Sequence, residues 1–149
     1  MVESDRLYRR AAFSTRLRRD RLYTPSHAWL LLVGDGVWRV GYTKFATRLL
    51  GEPVEYDIEV TPGAEVERGQ AVGWVEGFKA VTDLYCPMAG RFERANEALS
   101  ADMTLLHRDP YGKGWLYELC GKPGEDCVEV DGYVAVLDAT IDKMMGTQS

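Results

Sequence analysis

A mainly β fold with a short helix after the first hairpin and a second helix at the C-terminal end is what the sequence predicts, and three patterns predict it. Residues 54–60, Val-Glu-Tyr-Asp-Ile-Glu-Val, alternate apolar and acidic side chains with the period of two that belongs to a strand with one buried face. Short runs rich in β-branched and aromatic residues recur between Gly, Pro and Asp turn signals. Helical spacing is confined to 44–50 and to the segment after Pro123-Gly124. At 149 residues the chain can bury a core of its own without metal or disulfide staples.

Residues 1–21 form a basic arm in which seven arginines stand against Glu3, Asp5 and Asp20. That is a net of +4, which leaves −9 for the rest of a chain whose formal charge is −5. From Tyr8 to Asp20 apolar residues are scattered among the arginines, a pattern that fits either a frayed helix or an extended strap. Residues 22–120 follow as a β domain. Tyr23-Thr24-Pro25-Ser26-His27 leads into a strand over 28–33, Gly34-Asp35-Gly36 turns the chain, and a second strand spans 37–42. Thr43 is placed to cap a helix over 44–50, with Phe45, Ala46, Leu49 and Leu50 on one face and Gly51 as its stop.

The 54–60 strand directs Val54, Tyr56, Ile58 and Val60 inward, and Thr61-Pro62-Gly63 turns it. Two apolar runs, 72–76 and 81–86, enclose Gly77-Phe78-Lys79-Ala80 and read as a central hairpin. The segments 62–69 and 86–96 resemble each other in outline, as two half-units around Lys79 would. Asn96 can cap a short helix through Leu99, residues 109–114 form a loop, and a last strand is expected over 115–119. In the C-terminal extension, residues 121–149, Val130, Tyr133, Val134, Leu137, Ile141 and Met144 follow the i, i+3, i+4, i+7 rule, with Gly146 as the stop.

Composition excludes several functions. An acidic body makes nucleic acid an unsuitable partner, and no apolar stretch is long enough for insertion into a membrane or for a secretory signal, so a cytoplasmic protein is expected. Cys86, Cys120 and Cys127 show neither a CxxC pair nor histidines at ligand spacing, which argues against a metal site; Cys120 and Cys127 flank a Gly-Lys-Pro-Gly turn across which a disulfide could form, with free thiols the preferred reading. His27 and His107 are the only histidines, no Ser or Cys lies in a nucleophile motif, and no glycine-rich loop opens a helix. The chain is therefore expected not to be an enzyme. His27 reads as a structural residue at a strand entry.

Lys79 suggests a carrier instead. A lysine amine that accepts an acyl group must be exposed and held on a rigid tip, so that a modifying enzyme can bring it to an activated acyl carbon. A hairpin turn meets that demand, and Glu76 and Asp83 place acids on both sides of it.

The series of landmarks around Lys79 gives the expectation a family. Tyr23-Thr24-Pro25-Ser26-His27 with Trp29, Val40-Gly41-Tyr42-Thr43, Leu50-Gly51-Glu52, Glu76 with Lys79-Ala80, Asp83-Leu84-Tyr85, Pro87, Gly90, Asn96-Glu97-Ala98-Leu99, Asp109-Pro110-Tyr111-Gly112 and Gly114-Trp115-Leu116 occur in that order. In this the sequence resembles the H proteins, the lipoyl carriers of the glycine cleavage system, over roughly Tyr23 to Leu119. The resemblance implies a lipoyl-domain-like barrel-sandwich hybrid for residues 22–120, and lipoate attached covalently to Lys79. It also implies that Glu76 and Gly63 help lipoyl-attaching enzymes recognise the lysine. Gly77, Phe78, Ala80, Asp83 and His27 become the surroundings of the arm. The partners implied are lipoyl-attaching enzymes, the glycine cleavage enzymes and dihydrolipoamide dehydrogenase.

Three departures bear on cargo. H proteins have a glutamate after the histidine where this chain has Ala28, and plant-type members have a histidine where it has Leu49. Ser-Val before the lysine is replaced by Gly77-Phe78. A carrier of sulfur intermediates does not need an ammonium-binding carboxylate. On that ground the sequence reads first as an H-like lipoate-binding protein serving a heterodisulfide-reductase-like complex in sulfur oxidation, with the aminomethyl carrier of glycine cleavage as the alternative. A third possibility is an unlipoylated H-like binding module that meets its partner through the basic arm. Phe78 is either an aromatic anchor for a partner or packed on the neighbouring strands, and Cys86 is a weak candidate for a sulfur relay.

Overall fold

The structure is a computed structural model that describes residues 5–146. The ends of the arm and of the extension, 1–4 and 147–149, lie outside the described residues.

The basic arm is neither helix nor strap. It forms an antiparallel hairpin of β1 (Asp5–Arg10) and β2 (Phe13–Arg18). Its alternation was masked in the sequence because the arginines occupy both faces. On the inner face Tyr8, Phe13, Thr15 and Leu17 are buried, while Leu7, Arg9, Ser14 and Arg16 face outward.

β3 (Leu22–Tyr23), β4 (Ala28–Gly34), β5 (Val37–Tyr42), β7 (Glu65–Val66), β10 (Gly90–Ala95) and β11 (Tyr117–Gly121) make a six-stranded sheet in the order β3-β4-β5-β11-β10-β7. A three-stranded sheet contains β6 (Pro53–Ile58), β8 (Ala71–Gly77) and β9 (Val81–Tyr85), with β8 in the middle. Leu30, Val40, Phe92, Tyr117 and Leu119 of the larger sheet share one core with Val72, Val75 and Leu84 of the smaller. This is the predicted sandwich, and the two half-units meet in it directly, since β7 pairs with β10.

Several boundaries differ from the sequence expectation. β6 ends at Ile58, and a register shift between Pro53 and Glu55 leaves Val54 exposed although its parity with Tyr56 suggested burial. β11 begins at Tyr117 rather than Trp115: Leu116 still donates to the Val40 carbonyl at 2.8 Å, but the Trp115 carbonyl is taken by a side chain. The Asn96 amide donates to the carbonyl of Trp115 at 2.7 Å, and its backbone N–H to that of Leu116 at 3.1 Å. The same Asn96 caps α2 (Glu97–Ala101) as predicted, accepting from the Ala98 N–H at 3.0 Å. One further turn of helix, α3 (Leu105–Arg108), has no counterpart in the sequence pattern.

A second core lies outside the larger sheet. The C-terminal helix α4 (Val130–Gly146) buries Val130, Tyr133, Leu137 and Ile141, as its periodicity predicts, while Met144 is partly exposed. These residues pack with Tyr8, Phe13 and Leu17 of the arm and with Tyr23, Trp29 and Phe45 of the β domain. Tyr8 donates to Asp138 at 2.8 Å, and Arg10 reaches Asp142 at 2.8 Å, tying β1 to α4.

Candidate functional site: the Lys79 tip and its cleft

The helix α1 (Lys44–Leu50) begins where expected: the Thr43 hydroxyl accepts from the Ala46 N–H, and Gly51 ends the helix at φ 79°. The carbonyls at its C-terminal end would ordinarily face water. Here they hold the Lys79 hairpin. The Lys79 N–H donates to the Leu50 carbonyl at 3.0 Å and the Phe78 N–H to the Glu52 carbonyl at 3.0 Å. Within the turn, the Gly77 N–H donates to the Ala80 carbonyl at 2.8 Å. The Lys79 Nζ leans back to 3.4 Å from the Arg48 carbonyl, a long contact that leaves the exposed amine available.

Gly77 has a packing reason. A Cβ at this position would lie 2.3 Å from the Leu50 carbonyl oxygen, so only glycine lets the end of β8 approach α1 so closely. The departure from Ser at residue 77 is thus a consequence of how this tip is seated, and no statement about cargo is needed to explain it. Phe78 does not fold back on the strands. It is 77% exposed, a large apolar ring beside the lysine.

Next to the tip opens a cleft of about 370 Å³ between the two sheets. Ala28, Val40, Tyr42, Leu50, Ala80 and Leu116 give it mainly apolar walls. Leu49 also lines it, which explains why this residue is exposed rather than buried on the helix face assigned to it. Asp83 is exposed and is the single carboxylate in the lining. Burial raises the Tyr42 hydroxyl well above its ordinary value, so it stays protonated.

His27 is both a structural residue and a cleft residue. Its backbone adopts φ 70°, held by a turn in which its N–H donates to the Thr24 carbonyl at 3.0 Å and its own carbonyl accepts from Thr43 at 3.0 Å. The ring Nδ1 lies 2.8 Å from the Tyr133 hydroxyl, which also contacts the Thr43 hydroxyl at 2.8 Å. Burial pushes the His27 imidazole down to about 4, so the ring brings no positive charge to the cleft at neutral pH.

The remaining candidates are placed less closely together. Glu76 is half-buried on β8, paired across to Glu55 and Val81 one step from the tip. Gly63 is not brought near Lys79. Pairing of Pro53 with Gly77 and of Ile58 with Gly73 carries the chain away from the tip, and Gly63 lies beyond, at φ 90°, donating to the Phe92 carbonyl at 2.8 Å. Cys86 is buried, donates its thiol to the Met88 carbonyl and has its acidity lowered by burial, which removes it as an exposed relay. All three cysteines are free, and among the described residues no cluster of His, Cys, Asp and Glu is arranged to hold a metal. No described helix is long and apolar enough to cross a membrane.

Lys79 thus stands on a backbone-latched tip beside a largely apolar cleft. The glycine cleavage H-protein family pattern matches residues 21–134. The chain belongs to the glycine cleavage H-protein family. It is 39% identical over 125 residues to a glycine cleavage system H protein of Corynebacterium jeikeium, covering 81% of this chain and 97% of that one. It is 38% identical over 126 residues to one from Thermus thermophilus, covering 81% and 95%. The crystal structure of a glycine cleavage system H protein from Mycobacterium marinum superposes with a TM-score of 0.73 at 32% identity, over 80% of this chain and 97% of that one. These relatives support the glycine cleavage branch of the family. They lend nothing to the sulfur-oxidation expectation drawn from Ala28 and Gly77-Phe78, or to its heterodisulfide-reductase-like partner. The family match also leaves out the β1–β2 hairpin and the last turns of α4.

The sequence did not disclose two parts of the site. The α1 carbonyl latch leaves no side-chain signature apart from Gly51 and Gly77. Tyr133 reads as one core residue of a helix, although its hydroxyl reaches across to the His27 turn.

Proposed function

We propose that this chain is a non-catalytic lipoyl carrier of the glycine cleavage system, with lipoate in amide linkage to Lys79. The observation that carries this is the latch: a lysine at an exposed tip whose flanking backbone is fixed by three hydrogen bonds at 2.8–3.0 Å, one of them to Leu50 at the end of α1 and one to Glu52 just beyond it. In the attachment step the neutral Nζ attacks an activated lipoyl carbonyl, the amide forms, the activating group leaves with the bonding pair, and the ammonium proton passes to solvent or enzyme.

The residues present fit the group. Ala80, adjoining Lys79, lines a largely apolar cleft in which an aliphatic chain can be covered and water displaced. When bound, lipoate supplies a reactive dithiolane on a long tether, able to hold the one-carbon amine fragment left by glycine decarboxylation. The chain itself orients and shields. Leu49, Leu50 and Leu116 exclude water, Asp83 offers the lining's one negative charge to an ammonium group, and neutral His27 does not oppose it. Tethering raises the local concentration of the cargo at each partner without chemistry by the carrier.

Mass spectrometry of the protein from its native host tests the attachment. A lipoyl increment on Lys79 is expected, and unmodified Lys79 in cells with working lipoylation refutes the proposal in favour of a binding module. Glycine-dependent loading by glycine decarboxylase tests the pathway. Turnover comparable with other H proteins is expected, and its absence in a fully lipoylated sample reopens the sulfur-carrier reading. A carboxylate restored at the strand entry, Ala28→Glu, should tighten ammonium binding by roughly 1.5–3 kcal/mol where the bond forms.

A further inference from the structure

The hairpin lies outside the family match, and its outer face has its own chemistry. Arg6, Arg10 and Arg18 are all spent on carboxylates, at 3.9, 2.8 and 3.1 Å. Arg9 and Arg16, exposed on the same face of the hairpin as the Asp5–Arg18 pair, form no ion pair among the described residues. They face a groove of about 690 Å³ whose far wall is the segment 107–111, with Lys44 also lining it. The one carboxylate in that lining, Asp109, is turned to its own loop, where it accepts from the Lys113 N–H at 2.9 Å. Leu7, 60% exposed, adds an apolar contact between the cations.

This groove adjoins the Lys79 tip. Lys79 and Phe78 line a second hollow of about 430 Å³, and Lys44 and His107 line both. Cations therefore run from Lys79 and Arg48 through Lys44 and Arg108 to the arm, against Glu52 in the hollow and Asp109 in the groove, on a protein whose formal net charge is −5. An acidic partner is repelled by the net charge of the whole protein and attracted by this run of cations.

We propose that the outer face of the β1–β2 hairpin is a docking surface for an acidic rim on the enzyme that acylates Lys79. The choice of partner follows from distance. An enzyme acting at the far end of a long arm need not touch the tip, whereas one that joins an acyl carbon to Nζ must close over the Lys79 hollow. Its body then overlies the groove that shares Lys44 and His107. The proposal rests on Lys79 being the acylated residue. The hairpin adds encounter rate and orientation, while Lys79 and its latch supply the reacting group.

The test is acylation of the full chain by the host's lipoyl-attaching enzyme, followed by intact mass, with KM for the carrier measured from low salt to about 0.5 M, where screening reaches within a few Å. The variants are Arg9→Glu with Arg16→Glu, both to Ser, and both to Lys, each checked by thermal melting. Charge reversal is expected to raise KM about tenfold or more at low salt, with kcat within about twofold, and to flatten the salt dependence. The serine pair should show a smaller rise and the lysine pair none. Equal KM and equal salt slopes for wild type and both charge-removing pairs overturn the docking surface while leaving Lys79 as the acylated residue. A wild-type chain that is not acylated, or is acylated elsewhere, refutes the Lys79 assignment and this proposal with it.

Discussion

His27 gives the site a predictable response to acid. In the folded chain, burial holds its imidazole at about 4, against an ordinary value of 6.5. The unfolded chain therefore takes up a proton near pH 6.5 that the folded chain refuses until near 4. Stability is unaffected by His27 above pH 6.5 and is lost as pH falls from there towards 4, because the unfolded state binds more protons in that window. With the two values separated by 2.5 units, the loss at pH 4.5 is roughly 2.5 kcal/mol, and it levels off near 3 kcal/mol below the folded value.

The comparison variant is His27→Asn. Asparagine tolerates the left-handed backbone found at φ 70°, and its amide can still meet the Tyr133 hydroxyl, but it does not titrate. Urea unfolding of both proteins at pH 7 and pH 4.5 isolates the effect, since all other carboxylates and histidines are common to the pair. The wild type is expected to lose about 2.5 kcal/mol more than the variant over that interval. Equal losses would show that the ring is solvated and protonated in the fold, and would remove the argument that it leaves the cleft free of positive charge.

Other perturbations address the supports of the tip. Tyr133→Phe deletes a hydroxyl that serves both His27 and Thr43 in a buried setting, and should cost about 1–3 kcal/mol in chemical denaturation while leaving the α4 packing intact. Gly77→Ser forces a Cβ against the Leu50 carbonyl. A loss of about 1–3 kcal/mol, with faster amide exchange at Phe78 and Lys79, is expected, and exchange unchanged from wild type would refute the close approach. Glu118→Ala removes a carboxylate that Arg39 and Arg94 hold at 2.9 and 2.8 Å across the larger sheet. It should lower stability by about 1–3 kcal/mol without altering acylation of Lys79, as urea unfolding and intact mass would show.

What the sequence disclosed follows from which interactions have a one-dimensional period. The β4–β5 hairpin, the Thr43 and Asn96 caps and the buried stripe of α4 depend on residues a few positions apart, and all were legible. The arm was not, because in a two-stranded sheet of six-residue strands the outer face carries arginines and the inner face carries arginines at its edges. Val54 and Trp115 were misplaced by a bulge and by a side-chain amide that competes for strand carbonyls, neither of which alters hydrophobic parity. Lys79 could be found because its neighbours are ordered landmarks. The bonds that seat it could not, since they join backbone atoms about thirty residues apart in sequence.

Those bonds also explain why the additions at the two ends matter to the site. α1 is short, and a seven-residue helix has little stability of its own. It is fixed at its start by Thr43, which Tyr133 of α4 engages through its hydroxyl. Along its length it is held by the arm, where Lys44 donates to the Ser14 carbonyl at 3.1 Å and Phe45 meets Phe13 edge-on at 5.2 Å. Its far end then holds Lys79. A disturbance in either terminal element consequently reaches the lysine through one helix, the same helix whose Leu49 and Leu50 line the cleft beside it. The arm and α4 are thus coupled to the function of the tip by position, even though neither contributes an atom to the acylated residue.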